Sequence, residues 1–218
     1  LGRKTPVHTL ANGCDPKELK GIGSDARRPG ESEDLVIQYL GRMDRNHKGL
    51  DLLIRGYAGF LGKIPADSRV CLVLSGNDWV DRGFLESLAG ELGLGDRIQF
   101  TGRLEDRSVV IHSRADISVL CSRFDGFGLT IVEAMLAGRP VLVSSEAGIA
   151  EFVKEAEAGF VVEPNANKIQ EALFTAWNQR AELAAMGERG QRYVMENLTW
   201  EKVAHRSLSI YAKVFCDK

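Results

Sequence analysis

Cysteine is scarce and scattered: Cys14, Cys71, Cys121 and Cys216 form no Cys-x-x-Cys pair and have no histidine at metal-ligand spacing. That pattern favours reduced thiols over a zinc site or a disulfide framework. Long apolar runs are missing too. None approaches the roughly 18 residues of a membrane span, and no basic-apolar-small leader pattern opens the chain, so the cytosol is the expected compartment. An excess of one charge is also lacking, with 28 Lys and Arg against 30 Asp and Glu and a net charge of −2. Without a basic field or a polybasic segment, nucleic acid is not an expected partner, and any functional charge must be local. No Gly-x-x-x-x-Gly-Lys-Ser/Thr occurs, which excludes a P-loop.

What is present is 218 residues of which 44% are hydrophobic, enough for a substantial core in one large domain or two small ones. Residues 1–34 are rich in Gly, Pro, Lys and Asp, carry no apolar period, and read as a connector. From Leu35 short β-branched runs alternate with helical patterns: Leu35-Leu40, Val70-Leu74, Ile98-Phe100, Ile117-Leu120, Val141-Val143 and Phe160-Val162 as strands. Such non-alternating runs suit parallel strands buried on both faces. Six strand-helix units predict an α/β fold, a single Rossmann-like doubly wound parallel sheet of about six strands over residues 35–199, followed by a C-terminal helix over 200–218. Gly21-Ile22-Gly23-Ser24-Asp25-Ala26 matches a dinucleotide pattern, but it follows polar residues rather than a strand, and Pro29-Gly30 cuts off any helix after it.

In a doubly wound sheet, ligands bind beyond the carboxyl ends of the strands at the switch in strand order, so the loops after strands are the places to search. After the first strand, Gly41-Arg42-Met43-Asp44-Arg45-Asn46-His47-Lys48-Gly49 holds three permanent cations in seven residues. A guanidinium forks onto two phosphate oxygens and an ammonium supplies a point charge, so Arg42 with Lys48 suits a diphosphate; a solvated, helix-starting loop is the bland alternative. After the fourth strand comes Asp125-Gly126-Phe127-Gly128-Leu129-Thr130-Ile131-Val132-Glu133, two carboxylates eight positions apart across glycines that would each cost about 1 kcal/mol inside a helix. A helix starting near Leu129 would aim its first amides, from Phe127, Gly128, Leu129 and Thr130, at an anion. Glu133 would then lie about one turn in, roughly 6 Å along the axis, within reach of sugar hydroxyls beside that anion. Its apolar neighbours Ile131, Val132, Ala134 and Met135 look buried, and a carboxylate among them needs partners.

Acid-Gly-Phe-Gly-Leu-x-x-x-Glu-Ala-Met followed by Ala137-Gly138-Arg139-Pro140-Val141 resembles the signature of the retaining glycosyltransferases of family 4, glycosyl transferases group 1, which have the two-domain GT-B fold. Further pieces fall in the family's order: Gly41-Arg42 with Lys48-Gly49, Ile98-Gln99-Phe100-Thr101-Gly102, Gly148-Ile149-Ala150-Glu151 and Gly159-Phe160-Val161-Val162. The resemblance implies that Arg42 and Lys48 clamp the donor diphosphate, helped by the amides of Phe127 to Thr130. It further implies that Glu133 holds the nucleotide ribose, that Asp125 contacts the transferred sugar, and that the loop Arg103-Leu104 faces the base. Arg42, Lys48 and Asp125 would then be the catalytic set, acting on a UDP-sugar or GDP-sugar with no metal and no other cofactor, by front-face departure of the diphosphate.

Two features depart from the family pattern. The first acid is Asp125 where Glu is usual, one methylene shorter, and the N-terminal Rossmann domain that binds acceptor has no counterpart in these residues. Leu10-Ala11-Asn12-Gly13-Cys14-Asp15 is similar to the family's inter-domain stretch. The expectation is therefore a C-terminal donor-binding half of a hexosyltransferase, inactive alone. Its partners would be the nucleotide-sugar and the missing domain; the acceptor is unidentified, and any membrane-surface attachment belongs to the missing half. The alternatives are a non-catalytic nucleotide-sugar-binding subunit and a GT-B sugar-nucleotide epimerase.

Overall fold

A computed structural model describes residues 8, 10–77 and 81–216; the rest of the expected connector (1–7 and 9) and the last two residues of the expected C-terminal helix lie outside the described residues. Six parallel strands form one sheet: β1 Leu35–Leu40, β2 Val70–Ser75, β3 Ile98–Gly102, β4 Ile117–Leu120, β5 Val141–Ser144 and β6 Gly159–Val162. Their spatial order is β3-β2-β1-β4-β5-β6, the doubly wound Rossmann order. Central strands need apolar residues on both faces, and β4 and β5 are buried at every position.

The helices are α1 Arg45–Lys48, α2 Leu50–Leu61, α3 Arg82–Glu91, α4 Ser108–Ser113, α5 Leu129–Leu136, α6 Ala150–Glu155, α7 Ala166–Asn178, α8 Leu183–Asn197 and α9 Trp200–Cys216. Spacing explains which faces they bury. Leu50, Leu53, Ile54, Tyr57 and Phe60 recur with the helical period along α2 and are fully buried. Close packing of α2 on α7 requires Gly56, where a Cβ would stand 2.7 Å from the Ala166 carbonyl oxygen. In α5 all but three residues are buried, so this helix packs against its surroundings nearly all round.

Packing begins earlier than Leu35. A 3₁₀ turn covers Pro16–Gly21, and Ala11 and Cys14 belong to the core. The Cys14 amide donates to the Leu198 carbonyl at 2.9 Å and the Trp200 amide to the Cys14 carbonyl at 3.1 Å, so this segment is tied to the start of α9. Further on, Arg27 pairs with the fully buried Asp116 at 3.1 Å, and Arg139 donates to the Arg27 and Ala115 carbonyls at 2.6 and 3.0 Å. Residues 10–34 are thus held by scattered apolar contacts, with Leu19 and Ile22 also packed against the core, and by the polar contacts of Arg27.

Candidate functional site

The strand order reverses between β1 and β4, the neighbours at the middle of the sheet. Two loops leave the carboxyl ends of these strands side by side, 41–49 after β1 and 121–128 after β4. The first contains the short helix α1, capped at its start by Asp44, whose side chain accepts from the His47 amide at 2.9 Å. Gly49 ends α1 in the left-handed region at φ 63°, where a Cβ would collide with the Cys121 carbonyl. Glycine therefore lets α1 press against the loop after β4. The Arg123 amide donates to the His47 carbonyl at 2.8 Å, and the Arg123 guanidinium forks onto Asp51 at 2.7 and 2.8 Å.

The packing of these loops brings Lys48 and Asp125 together, Nζ to Oδ2 at 2.5 Å, with side chains only 20% and 12% exposed. The other Asp125 oxygen accepts from the Phe127 amide at 3.2 Å. Both oxygens of Asp125 thus have partners within the protein, and the Phe127 amide is committed to it. Arg42 is exposed on the same loop as Lys48; its peptide is fixed by the Gly41 amide on the Ser75 carbonyl at 2.9 Å and the Met43 amide on the Asn77 carbonyl at 3.1 Å. The loop after β4 is zipped to the loop after β5, where the Gly148 amide donates to the Asp125 carbonyl at 3.0 Å.

Gly128 starts α5 at φ 98°, and a Cβ there would press on Leu120 and Ile149 at 3.0 and 3.1 Å. Helix geometry leaves the amides of Leu129 and Thr130 without intrahelical partners, and the helix dipole adds partial positive charge at that end. The Ile131 amide turns back to the Gly128 carbonyl at 3.0 Å. The amino-terminal edge of α5, formed by Gly128, Leu129 and Thr130, therefore follows directly on the loop that carries Asp125.

Glu133 follows on α5, half-buried, with Ile131, Val132, Ala134 and Met135 all buried around it. Burial pushes its pKa above the ordinary glutamate value; a hydrogen bond with Ser108 opposes this and the nearby Glu18 charge adds to it. Ser108 is a residue that sequence reasoning missed. Its only signal was its position at the first turn of α4, directly after the Arg103-Leu104 loop. Arg103 is exposed and Leu104 half-buried; both follow β3 on the sheet edge, separated from β1 by β2. They are stitched to the centre by Thr101 on Ser75 at 2.9 Å and Gln38 on the same Ser75 hydroxyl at 2.9 Å.

A concavity of about 510 Å³ opens elsewhere, lined by Cys14, Asp15, Met195, Trp200 and Lys202, where the N-terminal segment meets α9. It contains neither Arg42 nor Lys48 nor Asp125. The strand-end loops carry Arg42, Lys48 and the first amides of α5, groups whose chemistry suits an anion, so they are the candidate site. Among the described residues no group of three or more His, Cys, Asp or Glu side chains is placed to hold a metal ion.

A 3-2-1-4-5-6 parallel sheet, with Lys48 and a helix amino terminus at its switch point, defines a doubly wound α/β domain of Rossmann type. Comparison with known proteins narrows the class. The family description "Glycosyl transferases group 1" matches residues 24–193, and the chain belongs to that family. An uncharacterized glycosyltransferase of Methanocaldococcus jannaschii is 30% identical over 189 residues, 83% of this chain and 45% of its own length. The D-inositol 3-phosphate glycosyltransferase of Rhodococcus opacus is 28% identical over 213 residues, 94% of this chain and 47% of its own length. The chain spans about half the length of these curated relatives. Among solved structures, a sucrose-phosphate synthase from Thermosynechococcus elongatus superposes with a TM-score of 0.78 at 29% identity, over 96% of this chain and 53% of that one. The C-terminal domain of a glycosyl transferase group 1 family protein (LpcC) from Francisella tularensis superposes over 86% of this chain and all of its own, with a TM-score of 0.72 at 23% identity. This is the fold of the C-terminal domain of a GT-B glycosyltransferase.

Proposed function

We propose that this domain binds the nucleotide-diphosphate sugar donor of a retaining hexosyl transfer. The observation that carries the reading is the ammonium of Lys48, brought by α1 to the loop that leads into the amino terminus of α5, at the switch point of the sheet. Arg42 and Lys48 would hold the diphosphate from one side and the Gly128, Leu129 and Thr130 amides from the other. Glu133 would accept from the ribose hydroxyls, Arg103 and Leu104 would border the base, and Asp125 would meet the transferred hexose. Family membership and the Rhodococcus relative, a D-inositol 3-phosphate glycosyltransferase by name, support a sugar donor.

Breaking the anomeric C–O bond leaves negative charge on the departing diphosphate. Fixed cations and helix amides aimed at that oxyanion lower the barrier because they need no reorganisation as charge develops. The same cations take the role a divalent ion would otherwise play, so the transfer is proposed to need no metal. Departure and attack on one face of the sugar would retain its configuration. In our reading the acceptor is bound by a separate N-terminal domain, which also closes the cleft against water, so this domain alone binds donor without efficient transfer. The cytosol, where nucleotide sugars are available, is the compartment this reading favours.

The test is the thermal midpoint of the chain with UDP, GDP, ADP and their sugar conjugates. A ligand at one hundred times its dissociation constant stabilises by about 2.7 kcal/mol, which for a domain of this size is about 5–10 °C. The expected result is a shift with nucleotides of one base; no shift with any of them contradicts the reading.

A further inference from the structure

The loop that carries Arg42 rests on a residue with no role assigned above. Tyr39 lies on β1, fully buried, and its hydroxyl donates to the Arg42 carbonyl at 2.7 Å. Gly41 lies between them, and a Cβ there would stand 2.7 Å from the Tyr39 hydroxyl. The preceding peptide unit is confined from the side, because a Cβ on Gly76 would collide with the Gly41 carbonyl. Burial, followed by the charges of Asp125 and Asp44, pushes the Tyr39 pKa above the ordinary tyrosine value, so the hydroxyl keeps its proton and remains a donor. A phenylalanine would fill the same core volume and satisfy every apolar contact. What tyrosine adds is one directed side-chain hydrogen bond onto the Arg42 carbonyl, beside the one that carbonyl accepts from the Asp44 amide at 2.9 Å.

We propose that Tyr39 is a positioning residue for Arg42: its hydroxyl fixes the Arg42 peptide and thereby the direction in which the guanidinium leaves the loop toward the donor diphosphate. The inference rests on the donor reading above and adds a residue to it. Fixing the backbone of a residue costs conformational entropy, and the loop that carries Arg42 must be ordered for its side chain to meet a ligand from one direction. Anchoring the carbonyl from beneath moves part of that cost from the binding step to folding.

The test compares the wild-type chain, Tyr39→Phe, Arg42→Ala and the double variant. Calorimetric titration uses whichever of UDP, GDP or ADP the wild type binds, with the matching nucleoside as control, and nitrogen-15 relaxation of the Arg42 Nε–Hε group is measured without ligand. Tyr39→Phe is expected to weaken the nucleoside diphosphate about five- to ten-fold, the size of one ordinary hydrogen bond, to leave the nucleoside unchanged, and to increase the motion of the Arg42 Nε–Hε vector. In the Arg42→Ala background the same change is expected to have no further effect on diphosphate affinity. Equal losses for diphosphate and nucleoside would show a merely structural tyrosine and overturn the proposal. Unchanged affinity and relaxation in Tyr39→Phe would overturn it as well, with the donor site intact. A wild type that binds none of the three diphosphates would instead overturn the donor reading itself, and the proposal with it.

Discussion

Lys48 and Asp125 form an ion pair that is mostly shielded from water, so the two do not act independently. On the proposed donor reading, Lys48→Ala removes a phosphate ligand, and it leaves a shielded carboxylate without its cation. The expected loss in nucleoside-diphosphate affinity is about 1.5–3 kcal/mol, the worth of one charged hydrogen bond, read by calorimetry; unchanged affinity would remove Lys48 from the site. Asp125→Asn is expected to strengthen binding of the free diphosphate, because the competing anion beside Lys48 is gone, while weakening the sugar conjugate. Equal changes for both ligands would contradict a sugar-facing Asp125. Glu133 carries a stability consequence as well. Its folded pKa is raised by burial, so the native state holds more protons than the unfolded chain just above the ordinary glutamate value, and stability falls as pH rises through that window. Glu133→Gln is therefore expected to raise the thermal midpoint of the unliganded chain at neutral pH while weakening nucleoside and nucleotide binding alike; a lowered midpoint would show that the carboxylate is held by more than Ser108.

At the scale of elements, much of the fold was legible. Strands buried on both faces show as short apolar runs, so β1 and β4 end where the sequence places them. Helix α1 was not legible, because four residues are too few to show a period. What determines it is local: a capping Asp44 and the left-handed Gly49. The pairing of Lys48 with Asp125 was hidden for the same reason, since they are brought together by an α1 turn that periodicity does not reveal. The attachment of residues 10–34 was equally hidden, because its apolar anchors Ala11, Cys14, Leu19 and Ile22 follow no regular period and the rest depends on Arg27, Asp116 and Arg139. Gly49→Ala tests the α1 turn. A non-glycine residue at φ 63° and in collision with the Cys121 carbonyl is expected to cost about 1–3 kcal/mol in urea unfolding and to weaken diphosphate binding by displacing Lys48. A variant of wild-type stability and affinity would show that the turn does not position the cation.

For the whole molecule, pH dependence is set in part by His112, which is buried, bonded to Ser118 at 2.8 Å, and pushed down to about 3 by burial and then by the Arg139 charge. An unfolded histidine takes up a proton near pH 6.5 and the native one only near pH 3. Stability is therefore lost as pH falls below about 6.5, at up to about 1.4 kcal/mol per pH unit from this one residue. Between pH 6.5 and 5, above most carboxylate titration, His112→Gln is expected to flatten the slope of unfolding free energy even if it lowers the neutral value. An unchanged slope would assign the acid sensitivity to other groups. The site lies at the opposite ends of the strands from the Arg27–Asp116 pair, whose carboxylate is fully buried.

The central claim, that a nucleotide sugar is held between the loops after β1 and β4, is tested most directly by an amide-resolved NMR titration with the nucleotide sugar that shifts the thermal midpoint. The account predicts the largest shifts at Gly41 to Gly49, Gly126 to Thr130 and Glu133, with smaller ones at Arg103 and Leu104. Shifts centred instead on Cys14, Met195 and Trp200, around the concavity beside α9, would contradict it.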